Sequence, residues 1–318
     1  MAYIEWLHRG RLAREQVGGK GASLSELMSG GFLVPAGFCV TADGYRYFAE
    51  EAGLGREVEA ALAGADLGSL ASVREAAERV SSLVAAAPLP DDLREQIAEA
   101  YDELVETMGG PASAVRSSSV SEDGASASFA GLYETYLNIR GISNVLESVG
   151  RCYASLWSER AVRYRSSHGA GGPDEAMAVV VMGLVESETS GIAFTAHPVT
   201  GDRNQVVINA SWGLGEAIVS GRVTPDSFVV HKHTGKLVER EIYPKEIEVW
   251  LHPEGGGTLE RKLSSDRAKA ASLSDDQARE IAQVAAQVET HYGSPQDIEW
   301  GMAGGRIFVL QSRPITTL

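Results

Sequence analysis

The sequence contains little of what marks secreted, disulfide-bonded or membrane-spanning proteins. Its 318 residues include only two cysteines, Cys39 and Cys152, which are too few for a disulfide framework and favour a reducing compartment. No apolar run approaches the roughly 18 residues that are needed to cross a bilayer. Charged side chains are spread over residues 1–19, so this stretch lacks the apolar core of a signal peptide. We therefore expect a soluble cytoplasmic protein with no membrane partner.

Positive charge is also scarce. The chain has 28 basic and 43 acidic residues, which gives a formal net charge of -15. Such a surface repels nucleic acid and anionic membranes, so we expect neither as a partner. A bound polyphosphate would therefore need a local basic pocket. Hydrophobic residues make up 44% and charged residues 22%, an ordinary globular composition, and the length suffices for two subdomains with their own cores.

The pattern of apolar residues changes along the chain, from helical in the first half to strand-like in the second. Residues 91–108 carry apolar side chains at spacings of three and four, which predicts an amphipathic helix. This change predicts two subdomains, over residues 1–172 and 173–318. The later segments are predicted to be short strands at 177–185, 192–195, 206–209 and 228–231, a helix at 275–292 and a hairpin at 297–300 and 307–311.

Three glycines surround Lys20 in the segment 17–24. Glycines let a backbone approach a ligand closely, and the ammonium group supplies positive charge. The following residues, Ala22 to Met28, predict a helix whose first amides would face the same anion. The segment is not a Walker A motif, because Arg14 and Gly21 stand where that motif needs glycine and a hydroxyl residue. A plain turn remains the alternative interpretation.

A serine- and glycine-rich stretch, residues 116–131, begins where a β-like segment ends in Arg116. A guanidinium group offers planar, permanently charged donors that suit phosphate oxygens. The hydroxyl and small residues after it could fold over phosphates. Because the stretch has few apolar anchors, we predict a mobile loop. The alternative is a disordered linker.

The terminal hairpin carries a candidate metal site. Alternation along the strands sends Asp297 and Glu299 to one face of the first strand, and Gln311 and Arg313 to one face of the second. If the two faces coincide, oxygen ligands of the kind that Mg²⁺ prefers converge beside a guanidinium group that could neutralise a transferring phosphoryl group. The alternative is an exposed polar face with a surface ion pair.

Seven motifs occur along the chain in a fixed order. They lie at residues 18–22, 115–118, 128–131, 190–198, 212–216, 220–226 and, as a pair, 296–300 with 311–316. In this order they resemble the N-terminal nucleotide-binding domain of phosphoenolpyruvate synthase, pyruvate phosphate dikinase and the rifampin phosphotransferases. The resemblance covers about residues 10–316.

The resemblance implies an ATP-grasp fold, in which two α+β subdomains clamp ATP between them. Lys20 and Arg116 would hold the phosphates, and Arg313 would contact the terminal phosphates, so that these three would be the catalytic side chains. Glu299 and Gln311 would bind Mg²⁺ and lie beside the bound ATP. The expected cofactors are therefore ATP and Mg²⁺.

The resemblance also assigns a lid and an adenine pocket. The segment from Ser117 to Gly131 would be the lid, and both of these residues are expected to contact ATP. Adenine would lie against residues 181–185, where Met182, Gly183 and Leu184 are the expected contacts. Because Met182 stands where we expect glutamine, base selectivity stays open, although backbone contacts should preserve binding.

Enzymes of this family carry phosphate on a mobile histidine domain marked by Thr-Ser-His, and none of the seven histidines has that context. His197, inside a family motif, is either a phosphate carrier or part of a turn. The resemblance thus implies a dikinase-type module that passes the β-phosphate of ATP through a separate histidine domain to an unidentified acceptor, yielding AMP and phosphate. Two alternatives stay open: a free-standing ATP-grasp kinase or ligase that acts directly on a small molecule, and a non-catalytic regulatory module.

Overall fold

The computed structural model describes residues 2–66, 69–110, 112–120, 133–167 and 175–316. By its internal contacts the chain divides into two units. The first comprises Met1–Ser25 and Ala36–Leu184, and the second comprises Glu26–Pro35 and Val185–Leu318. This division differs from the predicted subdomains 1–172 and 173–318, because the strand at 177–183 pairs within the sheet of the first unit.

The first unit combines helices with one sheet. Its strands are hydrogen-bonded in the order β1-β2-β5-β3-β4, and each pair is antiparallel. The elements are β1 (Ile4–Trp6), α1 (Arg14–Ser29, which runs on into the second unit), β2 (Gly37–Val40), α2 (Ala42–Glu51), α3 (Leu54–Ala63), α4 (Leu70–Ala86), α5 (Asp91–Met108), β3 (Ser113–Ser119), β4 (Thr135–Ile139), α6 (Ile142–Ser155), α7 (Glu159–Ser167) and β5 (Met177–Gly183).

The two faces of this sheet have different roles. Val115, Val181 and Phe38 are cross-strand partners on one face and belong to the apolar core that the sheet shares with helices α2 to α7. Because side chains alternate along a strand, Arg116 and Met182 lie on the other face. The candidate phosphate-binding arginine therefore lies on the side of the sheet away from the main core.

The helix predicted over 91–108 is confirmed as α5. It begins after Pro90, has acidic residues in its first turn, and ends at Gly109 in the left-handed conformation, with φ of 68°. The mobile loop predicted from Arg116 is wrong over its described part, since residues 116–119 form buried strand β3. Pairing with β4 and β5 satisfies the backbone there, which overrides the turn preference of serine. Residues 121–132 lie outside the described residues.

The second unit contains a larger antiparallel sheet, in the order β13-β12-β6-β7-β8-β9, and a two-stranded ribbon of β10 and β11. The predicted strands, helix and hairpin are confirmed with longer or shifted ends. The elements are β6 (Thr189–Phe194), β7 (Gln205–Trp212), α8 (Glu216–Val219), β8 (Asp226–His231), β9 (Leu237–Glu241), β10 (Ile247–Leu251), β11 (Thr258–Lys262), α9 (Ser265–Lys269), α10 (Asp275–Tyr292), β12 (Gln296–Ala303) and β13 (Arg306–Pro314).

Helix α10 covers one face of this sheet. It starts with a capping box between Ser274 and Gln277, and its buried side chains, including Ile281 and Val288, pack against β6, β7, β8 and β12. The opposite face of β12 is thereby left to carry polar side chains. The α+β class predicted from the sequence is confirmed. Within the described part of the chain, every helix is too short or too polar to cross a membrane.

Candidate functional site

Lys20 lies on a kinked turn of helix α1. The kink is at Gly18, where φ is 69° and ψ is 179°. A Cβ atom on Gly18 would lie 2.1 Å from the carbonyl oxygen of Ser118 on β3, so the helix can approach the strand this closely only with glycine there. A Cβ on Gly21 would lie 2.9 Å from Sγ of Cys39 on β2. These two glycines therefore allow close packing inside the unit, whereas the sequence had suggested that they allow close approach to a ligand.

The helix predicted over Ala22 to Met28 is confirmed, with an earlier start, because regular helical backbone resumes directly after the kink at Gly18. Helix α1 spans Arg14–Ser29, and Lys20 lies in the first turn after the kink rather than in a loop before the helix. The side chain is nearly buried, with 8% of the residue exposed. A buried ammonium group interacts more strongly with an anion than an exposed one, because less water screens it.

Arg116 lies on the face of the sheet against which α1 packs. It is the cross-strand partner of Val180, which is also the partner of Cys39 beneath Gly21. Only 9% of Arg116 is exposed. The structure thus places Lys20 and Arg116, the two cations predicted for this unit, on one side of one sheet. A chain of net charge -15 would need such local positive charge in order to hold a polyphosphate.

Ser117 lies on the opposite face. Its hydroxyl donates to the carbonyl of Glu134 at 2.9 Å and lies 3.2 Å from Oγ of Ser155, fully buried. Its side chain therefore points away from Arg116, because neighbouring residues of a strand point to opposite faces. The sequence did not predict that the strand continues past Arg116. Gly131, the other predicted contact of the lid, lies outside the described residues.

The predicted adenine contacts lie at the end of β5. Met182 is buried between two small cross-strand partners, Gly37 and Ala114. The N–H of Gly183 donates to the carbonyl of Ala36 at 2.8 Å, and the N–H of Leu184 donates to the carbonyl of Ala112 at 3.1 Å. Because these donors are already used, a backbone contact of Gly183 or Leu184 with adenine would be made through a carbonyl oxygen.

The hairpin of β12 and β13 brings the remaining candidates together. Asp297 faces Arg313, and Glu299 faces Gln311, as direct cross-strand partners. The two faces predicted from alternation therefore coincide. Directly opposed residues have Cβ atoms about 4.5–5.5 Å apart, so the oxygens of Glu299 and Gln311 can reach one ion. The pairing shifts between Glu299 and Trp300, where Leu310 is an extra residue in β13.

Asp297 orients the arginine of this hairpin. Nε and Nη2 of Arg313 donate to Oδ2 of Asp297 at 2.8 and 2.7 Å. The aspartate side chain is 11% exposed and that of the arginine 29%, so the pair is partly shielded from water. Alternation in the sequence places Asp297 on this face but does not identify its partner. The register between the strands, which makes Arg313 that partner, is needed to assign its role.

The oxygen donors of this hairpin fit Mg²⁺ bound together with phosphate. Mg²⁺ takes one or two protein carboxylates and completes its shell with phosphate oxygens and water. Glu299 and Gln311 supply two oxygen ligands of that kind. Among the described residues, no group of three or more His, Cys, Asp or Glu side chains could hold a metal ion. The pair is thus suited to a metal that arrives with a phosphate ligand.

Other motif residues stabilise the second unit. Asp226 of β8 is fully buried: Oδ1 accepts from the ammonium group of Lys245 and from the N–H of Tyr243, and Oδ2 accepts from the N–H and hydroxyl of Ser272. The carboxylate therefore joins β8 to two later segments of the chain. Gln296 does the same for the hairpin, since its Oε1 accepts from the hydroxyl of Ser312 at 2.8 Å.

His197 has a structural contact in its turn. Its Nδ1 accepts from the N–H groups of Val199 and Thr200, each at 3.2 Å. Its own N–H donates to the carbonyl of Asp202 at 3.0 Å. These bonds place the ring in the turn after β6, which is the second of the two roles considered for this histidine.

Lys20 and Arg116 are thus nearly buried in the first unit, and in the second Glu299 faces Gln311 next to the pair of Asp297 and Arg313. The chain belongs to the family described as pyruvate phosphate dikinase, AMP/ATP-binding domain, which matches residues 14–318. It is an ATP-binding domain of the dikinase type. The match begins at Arg14, the first residue of α1.

Named relatives agree with this family. The chain is 41% identical to the probable phosphoenolpyruvate synthase of Methanocaldococcus jannaschii, over 100% of this chain and 27% of the relative. It is 40% identical to the phosphoenolpyruvate synthase of Pyrococcus furiosus, over 100% of this chain and 44% of the relative. It is 45% identical to a rifampicin phosphotransferase from a Streptomyces species, over 95% of this chain and 34% of the relative. The chain thus spans less than half the length of these relatives.

Proposed function

We propose that this chain is the nucleotide-binding module of a dikinase-type phosphotransferase. It binds Mg·ATP and passes the β-phosphate, through a histidine carried elsewhere, to an acceptor, so that AMP and phosphate are formed. The observation that carries the proposal is the register of β12 and β13, in which Glu299 faces Gln311 and Asp297 faces Arg313. The family of the chain and its phosphotransferase relatives support the same function.

The two terminal phosphoryl groups of ATP go to two different acceptors, a histidine and water. The bond between the α- and β-phosphates breaks, and AMP leaves. The β-phosphorus forms a bond to a histidine nitrogen. Water then breaks the bond between the β- and γ-phosphates, so that the γ-phosphate leaves as inorganic phosphate and the β-phosphoryl group stays on the histidine. Such transfer needs alignment and charge neutralisation more than covalent help from the protein.

Side chains of the first unit provide part of that neutralisation. We assign Lys20 and Arg116 to the phosphate oxygens, because both are charged, nearly buried and on one side of the sheet. The guanidinium group can donate two parallel hydrogen bonds to a phosphate, whereas the ammonium group acts as a point charge. Ser117 is left out of this set, since its hydroxyl is used on the opposite face.

In the second unit, we assign Glu299 and Gln311 to Mg²⁺ and Arg313 to the terminal phosphates. When bound, the metal neutralises the charge that develops on the transferring phosphoryl group. The carboxylate of Glu299 and the carboxamide oxygen of Gln311 would hold it. Asp297 holds the guanidinium group of Arg313 in one orientation, which lowers the entropy cost of contacting a phosphate.

The histidine and the acceptor site are assigned to other parts of the enzyme. The chain spans 27% to 44% of three curated relatives, which leaves ample length for further domains in them. His197 is engaged in its turn and is not proposed as the carrier. The acceptor stays unspecified, because the relatives include both a phosphoenolpyruvate synthase and a rifampicin phosphotransferase.

A thermal unfolding experiment tests this proposal. A ligand at about a hundred times its dissociation constant stabilises the fold by about 2.7 kcal/mol. We expect Mg·ATP to stabilise the wild type, ATP with a chelator to stabilise it less, and Lys20→Met to lose most of the effect. Lys236→Met removes an exposed lysine and is the matched control, which should keep the effect. No stabilisation by any nucleotide would contradict the proposal. A GTP arm measures base selectivity, and equal stabilisation by GTP would show that the protein with methionine at position 182 does not select the base.

A further inference from the structure

The hydroxyl of Ser118 forms a bridge inside helix α1, although Ser118 belongs to strand β3. It donates to the carbonyl of Val17 at 2.7 Å and accepts from the N–H of Gly21 at 3.1 Å. Val17 and Gly21 are four residues apart, so these are the two groups that a regular helix joins directly. One hydroxyl therefore bridges the helical turn that contains Lys20.

Helix α1 is broken at the turn that this bridge spans. Gly18 has φ of 69° and ψ of 179°, which no residue of a regular helix adopts. A side chain inserted into the hydrogen-bond ladder is one of the recognised causes of such a kink. The backbone of Ser118 also limits the position of the helix, since a Cβ on Gly18 would lie 2.1 Å from its carbonyl oxygen.

Ser118 is also tied to the other candidate cation. It lies two residues after Arg116 on β3, so both side chains are on the same face of the sheet. The residue between them, Ser117, directs its hydroxyl to Glu134 on the opposite face and cannot make the bridge. Ser118 is completely buried, so it does not itself reach a ligand from solvent.

We propose that Ser118 is a positioning residue that holds Lys20 at a fixed distance from Arg116. This inference rests on the proposed function, in which both cations bind ATP phosphates. Without the hydroxyl, the carbonyl of Val17 and the N–H of Gly21 lose a buried partner, and the turn that carries Lys20 relaxes. A displacement of about 1 Å in a binding group can cost up to a hundredfold in rate.

A double-mutant cycle on ATP affinity separates positioning from general stability. We expect Ser118→Ala to weaken Mg·ATP binding by about tenfold, and Lys20→Ala to weaken it at least as much. If Ser118 acts through Lys20, the double variant binds ATP as weakly as Lys20→Ala alone. The control is Ser155→Ala, which removes another buried hydroxyl of the same unit, one that donates to Cys152, and should leave affinity unchanged.

Two outcomes would overturn the inference: wild-type affinity in Ser118→Ala, or losses that multiply fully in the double variant. A wild type that does not bind ATP, or a Lys20→Ala variant that binds it normally, would instead overturn the proposed function, and this inference with it. Should Ser118→Ala not fold, Ser118→Thr and Ser118→Val replace it. These two have the same shape, but only threonine keeps a hydroxyl, so threonine should bind ATP at least about fivefold more tightly than valine. Equal affinity in this pair would also overturn the inference.

Discussion

Asp297 and Arg313 face each other across the hairpin of β12 and β13, and the arginine donates both Nε and Nη2 to a single oxygen, Oδ2 of the aspartate. Such a pair fixes the plane of the guanidinium group. In the proposed function this orientation prepares Arg313 for the terminal phosphates of ATP. The aspartate would thus contribute to ATP binding without contacting the nucleotide.

We therefore predict that Asp297→Asn weakens binding of Mg·ATP, by about 1.5–3 kcal/mol if the whole charge-assisted bond is lost. Isothermal titration calorimetry measures the change, with Asp43→Asn as the control, because Asp43 forms an exposed pair with Arg46 far from the hairpin in sequence. Tighter binding by Asp297→Asn would mean that the aspartate competes with phosphate for Arg313. That result would contradict an orienting role.

The metal assignment makes a second prediction, for Glu299→Gln. The change keeps the shape of the side chain and removes the charge that favours Mg²⁺, so ATP binding should lose most of its dependence on Mg²⁺. A titration of Mg²⁺ at fixed ATP measures this dependence. Unfolding free energy should change by no more than about 0.5 kcal/mol, as for an exposed control, Glu239→Gln. An unchanged Mg²⁺ dependence would make Glu299 an ordinary polar residue of a hairpin.

The buried pair of Asp226 and Lys245 makes a prediction about stability. Both side chains have no exposed surface, and the carboxylate accepts four hydrogen bonds. Asp226→Asn would leave the ammonium group of Lys245 buried without an opposite charge, which typically costs about 3–5 kcal/mol. Chemical denaturation monitored by circular dichroism measures the loss, and Asp43→Asn again serves as the exposed control, with a change near zero. A loss below about 1 kcal/mol would contradict the view that Asp226 compensates a buried charge on Lys245.

Both cysteines should be unreactive in the folded protein. Burial raises the pKa of the Cys39 thiol, and burial raises the pKa of the Cys152 thiol to about 12. Since the thiolate is the reactive form, a thiol reagent at pH 8 should label neither cysteine until the protein is denatured, and both afterwards. Fast labelling of either thiol in the native protein would contradict this burial.

Patterns within one element were predictable from the sequence. Helix α5 and the faces of the terminal hairpin follow from the spacing of side chains, because 3.6-residue and two-residue periods need no tertiary information. Glu299 and Gln311 could therefore be proposed as partners before their pairing was known. The register that joins them, with Leu310 as an extra residue, depends on contacts between strands and could not be read in advance.

Contacts between distant segments explain the rest. The serines after Arg116 favour turns in isolation, yet they form β3 because strands on both sides satisfy their backbone groups. Gly18 and Ser118 are a hundred residues apart. No local pattern therefore indicates that residue 18 is glycine because a Cβ atom there would collide with the backbone of Ser118. Likewise, the glycines around Lys20 suggested a ligand, whereas two of them allow α1 to pack closely on the sheet.

The most direct test of the dikinase assignment follows the β-phosphate. The chain is incubated with a protein that carries the Thr-Ser-His motif and with ATP labelled in either its β- or its γ-phosphate. Our account predicts that β-label becomes bound to the partner protein, that γ-label is released as phosphate, and that AMP and phosphate form in equal amounts. The chain alone should turn ATP over slowly or not at all. ADP formed in stoichiometric amounts by this chain with a small-molecule substrate, and without a partner protein, would contradict the account and favour a kinase or ligase that acts directly.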